Sequence, residues 1–349
     1  MGDQTPSSSE ITNGIPLWAS NFKRTGYGFA GWNTSFDYSG TNYGPNQTIT
    51  APADVETNGL SLYAVWIKSA GIIQNWDGCD SLAQGSTTAL TDERDGNTYA
   101  IAKLADNKCW TIENLRLADK DTNNNDIILK SSNTHSPAIT TLPIPTDPFT
   151  TRWCENLNST CINKRMLATN NTANFTTNTS STQSSNIYSY GNYYNWYSAT
   201  TGNGKYGSSY GQGYESLGDI CPAGWHLPKG GNKSQESTNE FWQLIVTGLN
   251  EGTKPANYDD SSTTPYYTGT TEGTPVSNAL RSYPNNFVYS GDVNGSLVGN
   301  RGSYGYYWSS SALSSLEAYY LYFNSSRVNP GTISGIKYTG KMVRCVAGV

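Results

Sequence analysis

Six cysteines set the first constraint on this 349-residue chain, at Cys79, Cys109, Cys154, Cys161, Cys221 and Cys345. The number is even and no C-x-x-C pair occurs. Neither of the two histidines, His135 and His226, completes a cysteine cluster with zinc-site spacing. Disulfides are therefore the better reading, and they imply folding in an oxidising, extracytoplasmic compartment. By adjacency Cys154 pairs with Cys161, a short loop worth ~2.5 kcal/mol on chain-entropy grounds.

The length exceeds one ordinary core and fits a small domain followed by a large one. Only 14% of residues are charged while 12% are aromatic, with 25 Tyr and 10 Trp among many Ser, Thr, Asn and Gly. That mixture suits twisted sheets and long ordered loops better than helical bundles. A formal charge of −5, a pI near 5.1 and the absence of any Lys/Arg run argue against nucleic acid as a partner. No apolar run is long enough to span a bilayer and no signal-peptide pattern is present, so direct membrane insertion by this stretch is not expected. The opening MGDQTPSSSE reads as the middle of a surface protein behind a start methionine, so this stretch is not expected to carry the anchor, and it assigns neither anchor type nor export signal.

Three strand-like stretches, Gly26–Trp32, Gln47–Ala51 and Leu60–Ile67, are separated by Gly, Asn and Pro turn signals. In the third, Leu60, Leu62, Ala64 and Trp66 alternate with Ser61, Tyr63, Val65 and Ile67, the period of a strand with one face on a core. The strings GYGFAGWNT (26–34), YGPNQTITAP (43–52) and LYAVW (62–66) resemble the internalin B-repeat family of the Listeria–Bacteroidetes type. The resemblance implies a small β-grasp-like spacer over residues 1–70, with the family's opening strand upstream. The linker Lys68–Ile73 leads into AGIIQNW, an apolar run that points to docking across the boundary.

From Gln74 six motifs occur in order: QNWDGC (74–79), LTDERDGNTYAIAKLADNKCWTIENLRL (90–117), YGNYYNWYSAT (190–200), ICPAGWHLP (220–228), GYYWSSS (305–311) and MVRCV (342–346). Together they resemble the Fibrobacter succinogenes major paralogous domain, a family of bacterial surface domains with a C-type-lectin-like core. The resemblance implies an α+β fold over residues 71–349, with two helices and a twisted antiparallel sheet. It also implies the pairings Cys79 to Cys109 and Cys221 to Cys345, the longer loop worth ~5 kcal/mol on chain-entropy grounds.

Local signals agree with a mixed fold. Ser237 and Glu240 form an S-x-x-E capping box, and Phe241, Leu244, Ile245 and Leu249 come next at helical spacing until Gly248 and Gly252 stop the run. Tyr193, Trp196 and Tyr197 make a shorter helical face between Gly191 and Gly202. A polar insertion, about 118–186, is rich in Thr, Asn, Ser and Pro and holds Cys154 and Cys161; a loop that long is functional or mobile.

Chemistry-bearing residues are sparse. His226 in GWHLP reads as structural and His135 lies in a loop, so no Ser/His/Asp arrangement forms. Asp259 and Asp260, and the turn with Asp92, Glu93 and Asp95, lack a second carboxylate arm. Formylglycine-generating enzymes share the lectin-like fold but need reactive cysteines, and every cysteine here has a disulfide partner to hand. Asp292 and Asn294 are the nearest approach to a calcium site, and YYWSSSAL around Trp308 lacks the Asn-Asp pair of calcium-dependent lectins. No catalytic residue, metal or cofactor is expected.

Binding is expected on paired strands Tyr304–Ser311 and Ala318–Asn324, joined by the turn ALSSLE. Alternation puts Tyr319, Leu321 and Phe323 on one face and Tyr320, Tyr322 and Asn324 on the other. The family resemblance implies that Trp308 is core, which carries Tyr306 inward and turns Tyr307, Ser309 and Ser311 out; Ser326 and Asn329 extend the set through SSRVNPGT. Tyr, Ser and Asn on a rigid sheet suit recognition, since Tyr offers contact area at low entropy cost. The reading is an extracellular bacterial surface protein that binds a protein or glycan ligand on another cell or surface through this face. Retroelement-diversified proteins of the same fold vary at similar places. The alternative is a structural component that packs against neighbours in a surface layer or fibre.

Overall fold

Five of the six residues of TYAIAK (98–103) are buried, so this strand is covered on both faces and forms the centre of a sheet. The computed structural model describes residues 15–17, 23–51, 59–117, 121–137, 190–202, 214–258, 265–294, 297–314 and 316–348, with the backbone alone at 167–168 and 176–177. Cys154, Cys161, Asp259, Asp260 and most of the polar insertion lie outside the described residues.

The architecture is mixed α/β, dominated by antiparallel sheets. A three-stranded sheet comes from β1 (Tyr27–Asn33), β2 (Asn42–Tyr43) and β3 (Tyr63–Lys68), ordered β2-β1-β3. A second contains β4 (Thr87–Thr91), β5 (Thr98–Lys103) and β6 (Cys109–Thr111). The third holds β7 (Tyr214–Glu215), and the short strand β8 (Trp225–His226) returns to the second. After β9 (Tyr267–Thr268), the long strands β10 (Tyr304–Ala312), β11 (Glu317–Asn324) and β12 (Arg327–Ile336) build the third sheet, ordered β7-β10-β11-β12-β9. The C-terminal β13 (Val346–Ala347) enters the second, ordered β8-β13-β6-β5-β4.

Three α-helical segments stand among the described residues: α1 (Trp196–Ala199), α2 (Glu240–Trp242) and α3 (Thr274–Arg281). The predicted long helix is α2 continued in π geometry over Gln243–Leu249. Its cap is Asn239 and not Ser237: the Asn239 side chain accepts from the Trp242 N–H at 2.9 Å. Glu240 turns away from the helix toward His226. The shorter predicted helix begins later than expected, because Tyr193–Tyr194 is strand and Asn195 caps α1 by accepting from the Ser198 N–H at 2.8 Å. Helix α3 was not anticipated. Its sequence TPVSNALR offers only Val276 and Leu280 as large apolar residues at helical spacing, and both are buried.

Residues 23–51 and 59–70 pack directly on the remainder of the chain. Gly28 lies so close to Ala100 that a Cβ would stand 2.4 Å from the Ala100 nitrogen. The Phe29 and Ala100 N–H groups both donate to one oxygen of the buried Glu113 carboxylate, at 3.0 and 2.7 Å. Ala30 and Val65 join the same apolar cluster as Trp110, Phe241, Leu321 and Phe323. The linker docks as its apolar character implied: Ala70, Gly71 and Ile73 bond along β4, and Ile73 is fully buried.

Two disulfides are present among the described residues. Cys79 joins Cys109 and Cys221 joins Cys345, each with Cα atoms 5.8 Å apart. Cys109, Cys221 and Cys345 sit in a second apolar cluster with Trp196, Trp225, Trp308 and Tyr320. The separations of 30 and 124 residues give the second bridge the larger constraint on the unfolded chain. Replacing Cys221 and Cys345 by Ala should lower unfolding free energy by about 5 kcal/mol, against about 3.5 for Cys79 and Cys109. Denaturant unfolding of both double variants measures the order; equal losses would contradict it.

Candidate functional site

Strands β10 and β11 pair with Tyr306 opposite Tyr322, Tyr307 opposite Leu321 and Trp308 opposite Tyr320. Residues opposite one another share a face, so Tyr306, Trp308, Tyr320 and Tyr322 lie on one side, with Tyr307, Leu321 and Phe323 on the other. The sequence reading inverted β10. Trp308 is buried as expected, yet on the face of Tyr320 and not that of Leu321. The reason is that this sheet is covered on both sides, so burial of a tryptophan does not tell which side is solvent.

Five expected ligand contacts are internal. Tyr307 is fully buried, stacked on Phe323 at 6.1 Å and bonded through its hydroxyl to the Val288 backbone. Ser309 donates to the Tyr319 carbonyl at 2.7 Å, inside an irregularity of the ladder between Trp308 and Ala312 that breaks the strict alternation. The Ser311 hydroxyl accepts from the Gly230 N–H and donates to the Gly230 carbonyl. Asn329 is fully buried, donates to the Pro265 carbonyl at 2.9 Å and accepts from the Thr332 and Ile333 N–H groups. Tyr320 is 9% exposed and lies beneath the surface. Tyr322 and Asn324 are half-buried and Ser326 is exposed, so these three do face solvent.

What reaches solvent there is an aromatic platform. Tyr304 and Tyr306, neighbours on the same side of β10, hold their rings parallel within 14° at 6.1 Å. Tyr322 approaches both, at 5.8 and 5.5 Å, and Tyr266 meets Tyr322 edge-on at 6.5 Å. All four are half-buried. Two amides brace the phenols: Asn324 donates to the Tyr322 hydroxyl at 3.0 Å and Asn300 to that of Tyr306 at 3.3 Å. At the rim the exposed Arg327 guanidinium lies 5.2 Å from the Tyr266 ring centre. Tyr304 and Tyr306 were not among the expected site residues; the signal for them was a Tyr-x-Tyr (304–306) in the strand beside Tyr-x-Tyr (320–322), which sets Tyr306 opposite Tyr322 and Tyr304 opposite Asn324.

Beneath the rings sits Lys341, 3% exposed. Its Nζ lies 5.1, 4.8 and 4.6 Å from the centres of Tyr306, Trp308 and Tyr320, donates to Thr339 and stands 3.7 Å from the Asp292 carboxylate. Burial pulls its pKa below the usual lysine range, with Asp292 opposing. Burial, then the Asp292 charge, pushes the Tyr306 phenol up. Asp292 therefore faces an internal cation, and among the described residues no group of three His, Cys, Asp or Glu is placed to hold a metal ion.

Elsewhere the ionisable residues hold structure. Asp92 is buried in an ion pair with Arg94 at 2.6 Å. His135 meets Asp219 at 3.0 Å, and Asp219 also accepts from the Cys221 and Leu227 N–H groups. A cleft of about 490 Å³ beside α2 is bordered by Trp242, Lys254 and Tyr258, where Lys254 pairs with Glu236 at 3.0 Å.

Glu240 is a carboxylate with a strongly depressed pKa. It accepts from His226 at 2.9 Å, Lys108 at 2.6 Å and the Lys229 N–H at 2.8 Å. Burial alone would raise its pKa, but the hydrogen bonds and charges of His226 and Lys108 prevail and hold it at about 2. For His226, burial disfavours the charged form, yet the Glu240 hydrogen bond and charge raise its pKa above the ordinary 6.5.

Comparison with models of known protein families, with curated proteins and with solved structures finds no match to this chain.

The two shifts have opposite signs and define a pH window. Glu240, depressed from 4.5, contributes stability that is present above 4.5 and lost as pH falls toward about 2. His226, raised from 6.5, contributes stability that is present below 6.5 and lost as pH climbs through its folded value. The pair is thus most stabilising between 4.5 and 6.5. His226→Gln should flatten the alkaline side of the melting-temperature profile and, because it removes the hydrogen bond and charge that hold Glu240 down, weaken the acid slope as well. An unchanged alkaline slope would show that other groups govern it.

Proposed function

We propose that this chain is an extracellular bacterial surface protein that recognises a ligand through the tyrosine platform of β10 and β11, without catalysing a reaction. The observation that carries the reading is the platform itself. Tyr304, Tyr306 and Tyr322 project half-buried from an antiparallel sheet and brace one another, Tyr266 meets Tyr322 edge-on, and the hydroxyls of Tyr306 and Tyr322 accept from amides. Rings already held in place lose little freedom on binding, which is the condition under which Tyr contributes most to recognition.

The six ordered motifs support membership of the Fibrobacter succinogenes major paralogous domain family and a C-type-lectin-like fold. So does the return of the C-terminal strand β13 between β6 and β8, tied by Cys221 to Cys345. The strings of residues 26–66 support a partial internalin B-repeat before it. Two disulfides favour an oxidising compartment, and no helix among the described residues is long and apolar enough to cross a membrane. Genetic diversification is not part of the proposed function, because Tyr307, Ser309, Ser311 and Asn329 are buried where a variable surface would need them exposed.

The test uses the whole chain, since β1 lies on β5. Screened against arrays of proteins and glycans, it should give a specific hit that Tyr322→Ala weakens at least tenfold with little change in melting temperature. A hit that survives both Tyr304→Ala and Tyr322→Ala would place recognition elsewhere.

A further inference from the structure

The chemistry of the platform restricts what it holds. Its centre carries no unpaired charge: Lys341 and Asp292 lie below the rings and face each other at 3.7 Å. A cationic group seeking the ring faces meets Lys341 already lodged against Tyr306, Trp308 and Tyr320, with Arg327 at the rim. Like charges so close disfavour a second cation there. A polyanion meets a chain of net charge −5, and the one exposed cation described at the platform, Arg327, is a single contact. What remains favourable is a neutral ligand.

Its shape is set by the rings. Tyr304, Tyr306 and Tyr322 have centres 5.5 to 6.1 Å apart and are bordered by the Asn300 and Asn324 amides, with the exposed Ser326 beside Asn324, to which its N–H donates at 3.0 Å. Aromatic faces are electron-rich and attract weakly positive C–H groups, while amides and hydroxyls on the border serve hydroxyls of either hydrogen-bonding sense. A pyranose ring offers that combination, with C–H groups on its faces and hydroxyls around its edge.

We propose that the platform binds a neutral oligosaccharide by stacking sugar rings on Tyr304, Tyr306 and Tyr322, without calcium. This rests on the recognition role assigned to the same face. A protein epitope of ordinary composition would bring charged side chains onto rings that have no counter-charge to offer.

The experiment is isothermal titration calorimetry of the full chain in EDTA with cellohexaose, mannohexaose and chitohexaose. Oligogalacturonate and chitosan hexamers serve as charged counterparts. At least one neutral hexasaccharide should bind and exceed the charged ones at least tenfold. Saturation transfer from the protein's aromatic protons should reach the ring C–H protons of the sugar. Tyr304→Ala and Tyr322→Ala should each weaken binding at least tenfold, and the Phe variants, which preserve stacking if the Ala variants misfold, should weaken it less than threefold. Binding only of a charged oligomer, binding that EDTA abolishes, or affinity unchanged in both Ala variants would overturn the proposal. So would the absence of binding by all three neutral sugars. If instead a protein ligand is found and Tyr322→Ala abolishes its binding, the recognition role stands and the saccharide inference fails.

Discussion

Arg344 lies 1% exposed in the C-terminal MVRCV segment, and the elements around the core converge on its guanidinium. Its Nε donates to the Asn114 side chain at 2.7 Å, Nη1 to the Thr111 and Asn285 carbonyls at 3.0 Å each, and Nη2 to the Asn286 carbonyl at 2.6 Å. The same group packs over Phe287 at 4.5 Å. Burial pulls its pKa down to about 10, which still leaves it charged at neutral pH. A buried cation without partners is strongly destabilising, so the end of β6 and the loop before β10 are held where those acceptors are. Next to it, Cys345 fixes the same segment to Cys221. One short stretch of chain thereby joins three distant regions.

The platform depends on that arrangement. Phe287, held under Arg344, meets Tyr307 at 4.9 Å and Phe323 at 6.3 Å, which settles the inner face of β10 and β11. The opposite face is covered only in part. Near Trp308 it is closed by α1, where the Trp308 indole donates to the Tyr194 carbonyl and that of Trp196 to the Ser309 carbonyl. Toward Tyr304 the cover ends, and the rings that continue the row become the surface. A row of edge-on and tilted ring contacts begins in the core with Trp308 and Tyr320 and runs outward without a break through Tyr306 to Tyr322 and Tyr304.

Local order was legible where it depends on neighbours in sequence. The strands of 304–324 fall within one residue of their predicted ends because alternating aromatic residues favour extended backbone. The run Phe241, Leu244 and Ile245 faces the core as its spacing required. Where two polar residues compete for a cap, the winner is decided by what else each can reach. Glu240 was drawn off by His226 and Lys108, whose side chains come from β8 and from the turn before β6. Helix α3 escaped notice because its eight residues carry little apolar signal and are stabilised by contacts from far away, such as Arg281 to Thr48.

By itself, the sequence determined the antiparallel strands, the cysteines available for bridging and a tyrosine-rich hairpin near the C-terminus. These depend on residue type and on short-range periodicity, and a chain carries both before it folds. Only the tertiary structure decided which side of that hairpin meets water. A period of two distinguishes two faces without saying which is covered, and here both are covered at Trp308 and only one at Tyr304. Tyr307, Ser309, Ser311 and Asn329 went inside because segments far along the chain supplied partners for them, and distance in sequence hides such partners. Tyr304, Tyr306 and Tyr322 stayed outside because the cover on their face stops short of them.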